Sequence, residues 1–379
     1  MRRLFALVAA VILVDTMFYA AIVPLLPSYV DDLGLSKTAA GVLSASYAAG
    51  TLVASIPAGF FAARVGVRPA MIVGLGLLAF SSAAFAFADD VVLLDLARFA
   101  QGVGGACAWT GGLTWIMAAS ERQRRGEMIG SVLAVAIFGI MLGPVLGGVA
   151  SELGPERVFS GVAVVAAILL AFAAATRAAE PEPPLAVRTV ATTIATAPIL
   201  VAIWLVALPA ILSGLFNVLI PLRLDELGAG AVAIGAVFLI AAGIEAVISP
   251  LIGSLSDRRG RLVLIRAGLW ITGVVAALLW VPATVVGVGV ATVVVVLALS
   301  LLWTPAMALL SDRAELSGLD LAFAAALVNL AWAGGQVVGG SGGAGLAEAT
   351  SDALAYALIA GLFALTALGA LAARRPAVA

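Results

Sequence analysis

Histidine is absent from this 379-residue sequence, and cysteine occurs once, at Cys107. A lone cysteine closes no intrachain disulfide, and without histidine or a cysteine cluster no metal site of the usual transition-metal kind is expected. Lacking histidine, any proton carried in the middle of the molecule must ride on a carboxylate. Charge is scarce too: 11% of residues are charged, and 20 basic against 21 acidic side chains leave a formal net charge of −1. That balance offers no basic face to DNA or RNA, so no nucleic-acid partner is expected.

What is abundant is apolar. Hydrophobic residues make up 63% of the chain and the mean hydropathy is +1.19. Soluble domains carry roughly 45–50% apolar and about 25% charged residues, so this chain reads as solvated by a lipid bilayer, and a soluble enzyme does not fit. Neither a catalytic residue nor an organic cofactor is expected.

A spanning helix needs about 20 apolar residues. Twelve candidate spans are found, at about 4–28, 38–62, 69–88, 92–118, 127–150, 156–177, 195–221, 230–255, 262–282, 284–309, 319–346 and 351–373. Between the ninth and tenth only Trp280-Val-Pro-Ala-Thr marks a break, with no charge in it. The amino-terminal Met-Arg-Arg and apolar run resemble a secretory leader. The run continues through Asp15 and Tyr19 to Pro24 and Pro27 without a cleavage site, so it is expected to remain as the first span.

Basic residues supply an independent check, because cytoplasmic loops are enriched in Arg and Lys. With the N-terminus inside, Arg2, Arg3, Arg64, Arg68, Arg122, Arg124, Arg125, Arg177, Arg188, Arg258, Arg259, Arg261, Arg266, Arg313, Arg374 and Arg375 fall on one side. Only Lys37, Arg157 and Arg223 fall on the other, and Arg98 lies within a span. So strong an alternation predicts twelve spans with both termini cytoplasmic.

The one long polar break, 178–194, is rich in proline and charge and reads as a cytoplasmic linker between two six-helix bundles, 1–177 and 195–379. The halves echo one another. Gly59 to Arg68, between spans two and three, corresponds to Gly253 to Arg261, between spans eight and nine. Gly139-xxx-Gly143-Pro144-xx-Gly147-Gly148 in span five is echoed by Gly335-xxx-Gly339-Gly340-x-Gly342-Gly343 in span eleven. Such a duplication is the plan of a secondary transporter whose halves rock about a midplane site.

Three motifs carry chemistry. After span eight, Gly253-Ser-Leu-Ser-Asp257-Arg258-Arg259-Gly260-Arg261 places a carboxylate and arginines at a helix junction. Charges held there can bridge helix ends in one conformation and part in the other. In span four, Arg98-Phe-Ala-Gln101-Gly102-Val-Gly104-Gly105 puts a guanidinium inside the membrane. That costs about 2.5 to 10 kcal/mol depending on the scale, and marks a functional residue with a partner to be named. Asp15 is the candidate partner; snorkelling, or a pair with Asp95, is the alternative. In span five the glycines permit close helix approach, and Pro144 removes one backbone hydrogen bond and offers a hinge.

Together these features resemble the major facilitator superfamily, whose signature loop is G-x-x-x-D-R-x-G-R. The first-half copy, with Gly59, Arg64, Gly66 and Arg68, has Ala63 where the family carries its aspartate. The resemblance implies that Asp257 and its arginines gate the inner side. The Arg98 motif resembles that of proton-coupled members, and the span-five motif resembles the antiporter signature of exporters. Span one, Asp15-Thr-Met-Phe-Tyr19 to Pro24-Leu-Leu-Pro27-Ser-Tyr29, is similar to the first helix of the twelve-span drug:proton antiporters, including vesicular amine transporters. Acidic positions that the amine transporters place in spans seven, ten and eleven fall near Asn217, Ser300 and Asn329 here.

Two carboxylates, Asp15 and Glu245, lie deep in the spans, one in each half. Burial without a permanent partner favours the neutral form of a carboxylate, so proton and substrate can compete for such a site without any covalent step. The expected coupling set is Asp15, Arg98 and Glu245, with the proton gradient as energy source. Tyr19, Tyr47, Trp109, Asn217, Trp303, Asn329, Trp332 and Gln336 are the expected cavity residues.

The sequence therefore predicts a monomeric, proton-coupled antiporter of small amphipathic compounds. The alternative is a metabolite or sugar exporter with a neutral substrate, for which Asn217, Asn329 and Gln336 speak. A transport-dead receptor usually adds a soluble domain, and a channel needs a ring-forming pore repeat; neither pattern is read here. Low lysine with abundant Ala, Val, Gly and Arg suggests a GC-rich bacterial genome, hence a bacterial plasma membrane.

Overall fold

The computed structural model describes residues 2–120, 125–177, 192, 194–319 and 321–372. Arg122, Arg124, Arg188, Arg374, Arg375 and the linker 178–194, except Thr192 and Ile194, lie outside the described residues. Among the described residues there are 12 helices long and apolar enough to cross a membrane. They are α1 (Arg2–Leu33), α2 (Lys37–Val65), α3 (Val67–Ala86), α4 (Val91–Ala119), α5 (Arg125–Leu153), α6 (Pro155–Ala175), α7 (Ala197–Glu226), α8 (Ala231–Arg259), α9 (Arg261–Leu278), α10 (Val285–Leu316), α11 (Leu321–Ala349) and α12 (Asp352–Ala372). Each expected span is present, and the uncharged break between the ninth and tenth is a turn after Leu278.

Local chemistry sets the ends. Ser36, Asp90 and Thr284 each accept a backbone N–H in the first turn of the helix they precede, at 3.2, 3.0 and 3.1 Å, satisfying a donor the helix itself cannot. Gly66 and Gly260, the two motif glycines between α2 and α3 and between α8 and α9, have φ of 115° and 87°. An L side chain there would be strained, which explains why both loop copies keep a glycine at that place. Gly59 and Gly253 differ: a Cβ at Gly59 meets nothing within 4 Å, and at Gly253 the nearest atom is Thr304 Cγ2 at 3.8 Å.

Helix α1 breaks at Ala21, three residues before Pro24. A proline has no N–H for the preceding turn and crowds its carbonyl, so the ladder is interrupted here. Pro24 leaves the Ala20 carbonyl without its helical donor, while the Phe18 carbonyl still receives the Ala21 N–H at 3.3 Å.

The glycine-rich helices behave as their spacing predicts. On α5, a Cβ at Gly139, Gly143 or Gly147 would overlap α1 at Thr16, Ala20 and the Ala21 carbonyl respectively. On α11, a Cβ at Gly335, Gly339 or Gly343 would press on α7 at Ala207, the Ile211 carbonyl and Leu215. The same contact thus recurs 196 residues later (139 to 335, 143 to 339, 147 to 343). The copies differ inside the helix: Pro144 sits in continuous α-helix, whereas Val338–Gly343 of α11 is a π-helical turn. Four glycines in six residues hold the α register weakly, and such turns recur at functional sites.

Contacts also join the two halves. Gly41 of α2 packs on Gly340 and Ala344 of α11, and Gly235 of α8 packs on Pro144 of α5. At the end of the bundle near Lys37, its ammonium pairs with Asp352 at 2.8 Å. Beside it Glu348 accepts from the Thr38 N–H at 2.7 Å and the Thr38 hydroxyl at 2.5 Å. At the opposite end Phe60 meets Phe323, with centroids 6.0 Å apart. Asp257, Arg258 and Arg64 are exposed there, and Asp257 makes no ion pair among the described residues. Arg68 donates to the Ala174 carbonyl, and Arg261 donates to the Ala308 carbonyl and pairs with Asp312.

Candidate functional site

Asp15 lies mid-way along α1 and is fully buried. Its Oδ2 accepts the Tyr47 hydroxyl at 2.9 Å and the Trp109 indole N–H at 3.2 Å. Its Oδ1 has no hydrogen-bond partner among the described residues. Three helices supply this arrangement: α1 the carboxylate, α2 the phenol and α4 the indole.

The glycines of the Arg98 motif make the room. A Cβ at Gly102 would overlap the Tyr47 carbonyl, so glycine there lets α4 touch α2. At Gly104 it would press on Gly74 and Leu77 of α3. At Gly105 it would stand 2.6 Å from the Tyr47 hydroxyl and 3.1 Å from Asp15 Oδ2. The motif therefore carves the space in which carboxylate and phenol meet.

Arg98 is fully buried, and its expected ion pair with Asp15 is not made. The guanidinium instead donates to Gln101 Oε1 at 2.8 Å, the Tyr19 carbonyl at 3.0 Å and the Phe18 carbonyl at 3.3 Å. The physical reason is that these α1 carbonyls lie at the height of Arg98 next to the break at Ala21, and a carbonyl oxygen has a second lone pair to share. The alternative pair with Asp95 is not made either; Asp95 accepts from Ser46 at 3.2 Å. Arg98 and Asp15 are linked through a ring. The guanidinium carbon lies 5.5 Å from the centroid of Tyr47, within cation–π range, and the hydroxyl of that ring holds Asp15.

Around this pair lies an aromatic cluster that draws on both halves. Tyr19 is 4.8 Å from Tyr47 and 5.5 Å from Trp332 of α11, centroid to centroid. Next to Tyr19 is a cavity of about 80 Å³ between α1, α2, α5, α7 and α8, with Ser44, Ile140, Pro144, Asn217 and Phe238 in its wall. Ligand sites usually enclose about 300 to 1,000 Å³, so this space is small for a whole substrate.

Of the expected cavity residues, Tyr19 and Asn217 line that space, Tyr47 and Trp332 reach it through the Tyr19 ring, and Trp109 serves Asp15. Gln336 does not face the space: it is buried, and its amide donates to Ser213 at 2.5 Å, tying α11 to α7. Trp303 and Asn329 are half-buried outside the wall. Ser44 and Phe238 were not anticipated; Ser44 precedes Tyr47 by three residues, a spacing that puts both on one helix face. Glu245 is half-buried in α8 and accepts from Ser300 of α10 at 2.9 Å.

Twelve lipid-length helices around a small cavity shared by both halves, with a carboxylate and a guanidinium buried beside it, define a multi-pass membrane transporter. The chain belongs to the Major Facilitator Superfamily, whose family model matches residues 8–319. It is 40% identical over 134 residues to the MFS-type transporter ppzB of Metarhizium rileyi, covering 35% of this chain and 27% of that protein. It is 30% identical over 207 residues to the vesicular acetylcholine transporter of Torpedo marmorata, covering 45% and 40%. The matched segments thus span about a quarter to two fifths of these curated relatives. The solved structure of the human organic anion transporter MFSD10 (TETRAN) superposes with a TM-score of 0.72 at 14% identity, covering 97% of this chain and 99% of that one. At that identity the likeness shows the fold.

Proposed function

We propose that this transporter is a proton-coupled antiporter that exports small amphipathic compounds, drugs or secondary metabolites, by alternating access. The observation that carries the reading is Asp15: a fully buried carboxylate with two donors on one oxygen and none on the other. The free oxygen accepts either a proton or a cationic group of the substrate, and competition for it couples the two. Arg98, spent on α1 carbonyls, sets the field at Asp15 through Tyr47. Glu245 acts as a second, subordinate proton or substrate carboxylate. The relatives named as vesicular acetylcholine transporters are named for a cation, which supports a cationic group at Asp15.

The units that rock are the bundles 1–177 and 195–379, with Gly139, Gly143, Pro144, Gly147 and Gly148 flexing against α1. The Lys37–Asp352 pair latches one end, Phe60 meets Phe323 at the other, and Gly59, Arg64, Asp257 and Arg258 at that second end gate it as the cycle proceeds. The arginine bias supports cytoplasmic termini, and a monomer suffices for this cycle. A multi-pass membrane location stands; a bacterial plasma membrane takes no support from relatives of fungal and animal origin.

A neutral-substrate exporter is the second reading, favoured by the uncharged Ser44 and Asn217 in the cavity wall. Dye accumulation in efflux-deficient cells expressing the wild type or Asp15→Asn, with and without a protonophore, separates the two. Proton-driven export predicts lower accumulation in the wild type, abolished by the protonophore and by the substitution. An inserted wild type that leaves cationic dyes unaffected would favour the neutral-substrate exporter.

A further inference from the structure

Serines and threonines inside these helices mostly donate to the carbonyl one turn back, as Ser46 does at 2.8 Å, Ser55 at 2.6 Å, Ser82 at 2.7 Å and Thr292 at 2.8 Å. Where lipid replaces water, that is how a hydroxyl avoids going unpaired. Ser44 departs from the pattern: it lines the cavity, and no residue among those described hydrogen-bonds its hydroxyl. Across the same space Asn217 presents an amide, and Tyr19 a phenol, with no hydrogen-bond partner among the described residues. An amide alone can offer two donors and accept at its oxygen. Three unspent polar groups from α1, α2 and α7 therefore converge on one small space, flanked by Ile140, Pro144 and Phe238. No carboxylate, lysine or arginine is among its lining residues.

We propose that this cavity is a neutral hydrogen-bonding subsite, which takes an uncharged hydroxyl, carbonyl or amide of the transported molecule with apolar carbon beside it. The inference rests on the reading that Asp15 takes the cationic end. A charge placed in the subsite itself would meet no counter-charge in a low-dielectric setting. A neutral group finds donors and an acceptor at Asn217, Ser44 and Tyr19, while Ile140 and Phe238 cover its carbon neighbours. Molecules lacking the group leave those side chains buried and unpaired, so the site discriminates by hydrogen bonding rather than by size.

Propranolol and its deoxy analogue, amphipathic amines that differ by one hydroxyl, test this by titration calorimetry on the purified protein in nanodiscs, with empty discs subtracted. The wild type should bind propranolol about tenfold more tightly, the equivalent of about 1.4 kcal/mol. Asn217→Leu and Ser44→Ala should each bring the affinity for propranolol down toward that for the deoxy compound. Asp15→Asn should weaken both amines and keep their ratio. Equal binding of the two by the wild type, or a ratio that survives both Asn217→Leu and Ser44→Ala, would overturn the subsite and leave the role of Asp15 standing. Failure of both amines to bind the wild type would overturn the cation site at Asp15, and the subsite with it.

Discussion

Asp15 and Glu245 are both carboxylates set deep in membrane helices, one in each half of the chain, yet they are held in different ways. Asp15 is sealed: two donors hold one oxygen, a glycine of α4 makes room for it, and the ring of Tyr47 ties it to a buried guanidinium. Glu245 is half-buried and receives the single hydroxyl of Ser300, which also donates to its own helix at the Val296 carbonyl. A carboxylate whose neighbours include a cation and two donors from two other helices feels any movement of those helices. One held by a lone hydroxyl feels only α10. On the proposed reading, coupling of charge to conformation belongs to Asp15, and Glu245 has an auxiliary part.

The comparison ranks the expected effects. Asp15→Asn should reduce proton-driven transport to background in a vesicle assay. Gly105→Ala comes next, because its methyl intrudes on the Tyr47 hydroxyl: transport should fall about tenfold or more, with little change in thermal stability. Gly102→Ala strikes backbone instead, forcing α2 from α4, and overpacking of that kind costs about 1 to 3 kcal/mol; the apparent Tm should drop by several degrees. Tyr47→Phe removes one of two donors to Asp15 and should slow transport about two- to tenfold, the range of one neutral hydrogen bond. Glu245→Gln should have the smallest effect, about threefold or less. A Glu245→Gln loss as complete as that of Asp15→Asn would erase the distinction between the two sites.

Much of the fold was legible because its signals are local. Long apolar runs, the glycine spacing of α5 and α11, and the prolines of α1 can be read residue by residue, and the contacts they imply are present. The site was legible in part. Asp15 stood out as a rare charge in an apolar run, but the partners of Arg98 include the Phe18 and Tyr19 carbonyls, backbone atoms 80 and 79 residues away that carry no sequence signature. Gln336 looked like a cavity residue because its satisfying partner, Ser213, lies 123 residues away. The Lys37–Asp352 and Thr38–Glu348 contacts escaped for the same reason: each joins residues over 300 apart in the chain. Ser44 was passed over because a serine in a helix ordinarily satisfies itself.

The central claim is that Asp15 exchanges a proton for substrate. Purified protein in liposomes enclosing a pH-sensitive dye, with no imposed gradient, tests it directly when a cationic amphipathic amine such as ethidium is added outside. Antiport at Asp15 predicts that inward movement of the amine through the wild type drives protons out and raises the internal pH, and that Asp15→Asn liposomes show no such change. Amine uptake by the wild type with no pH change, or an equal pH change in Asp15→Asn, would contradict it.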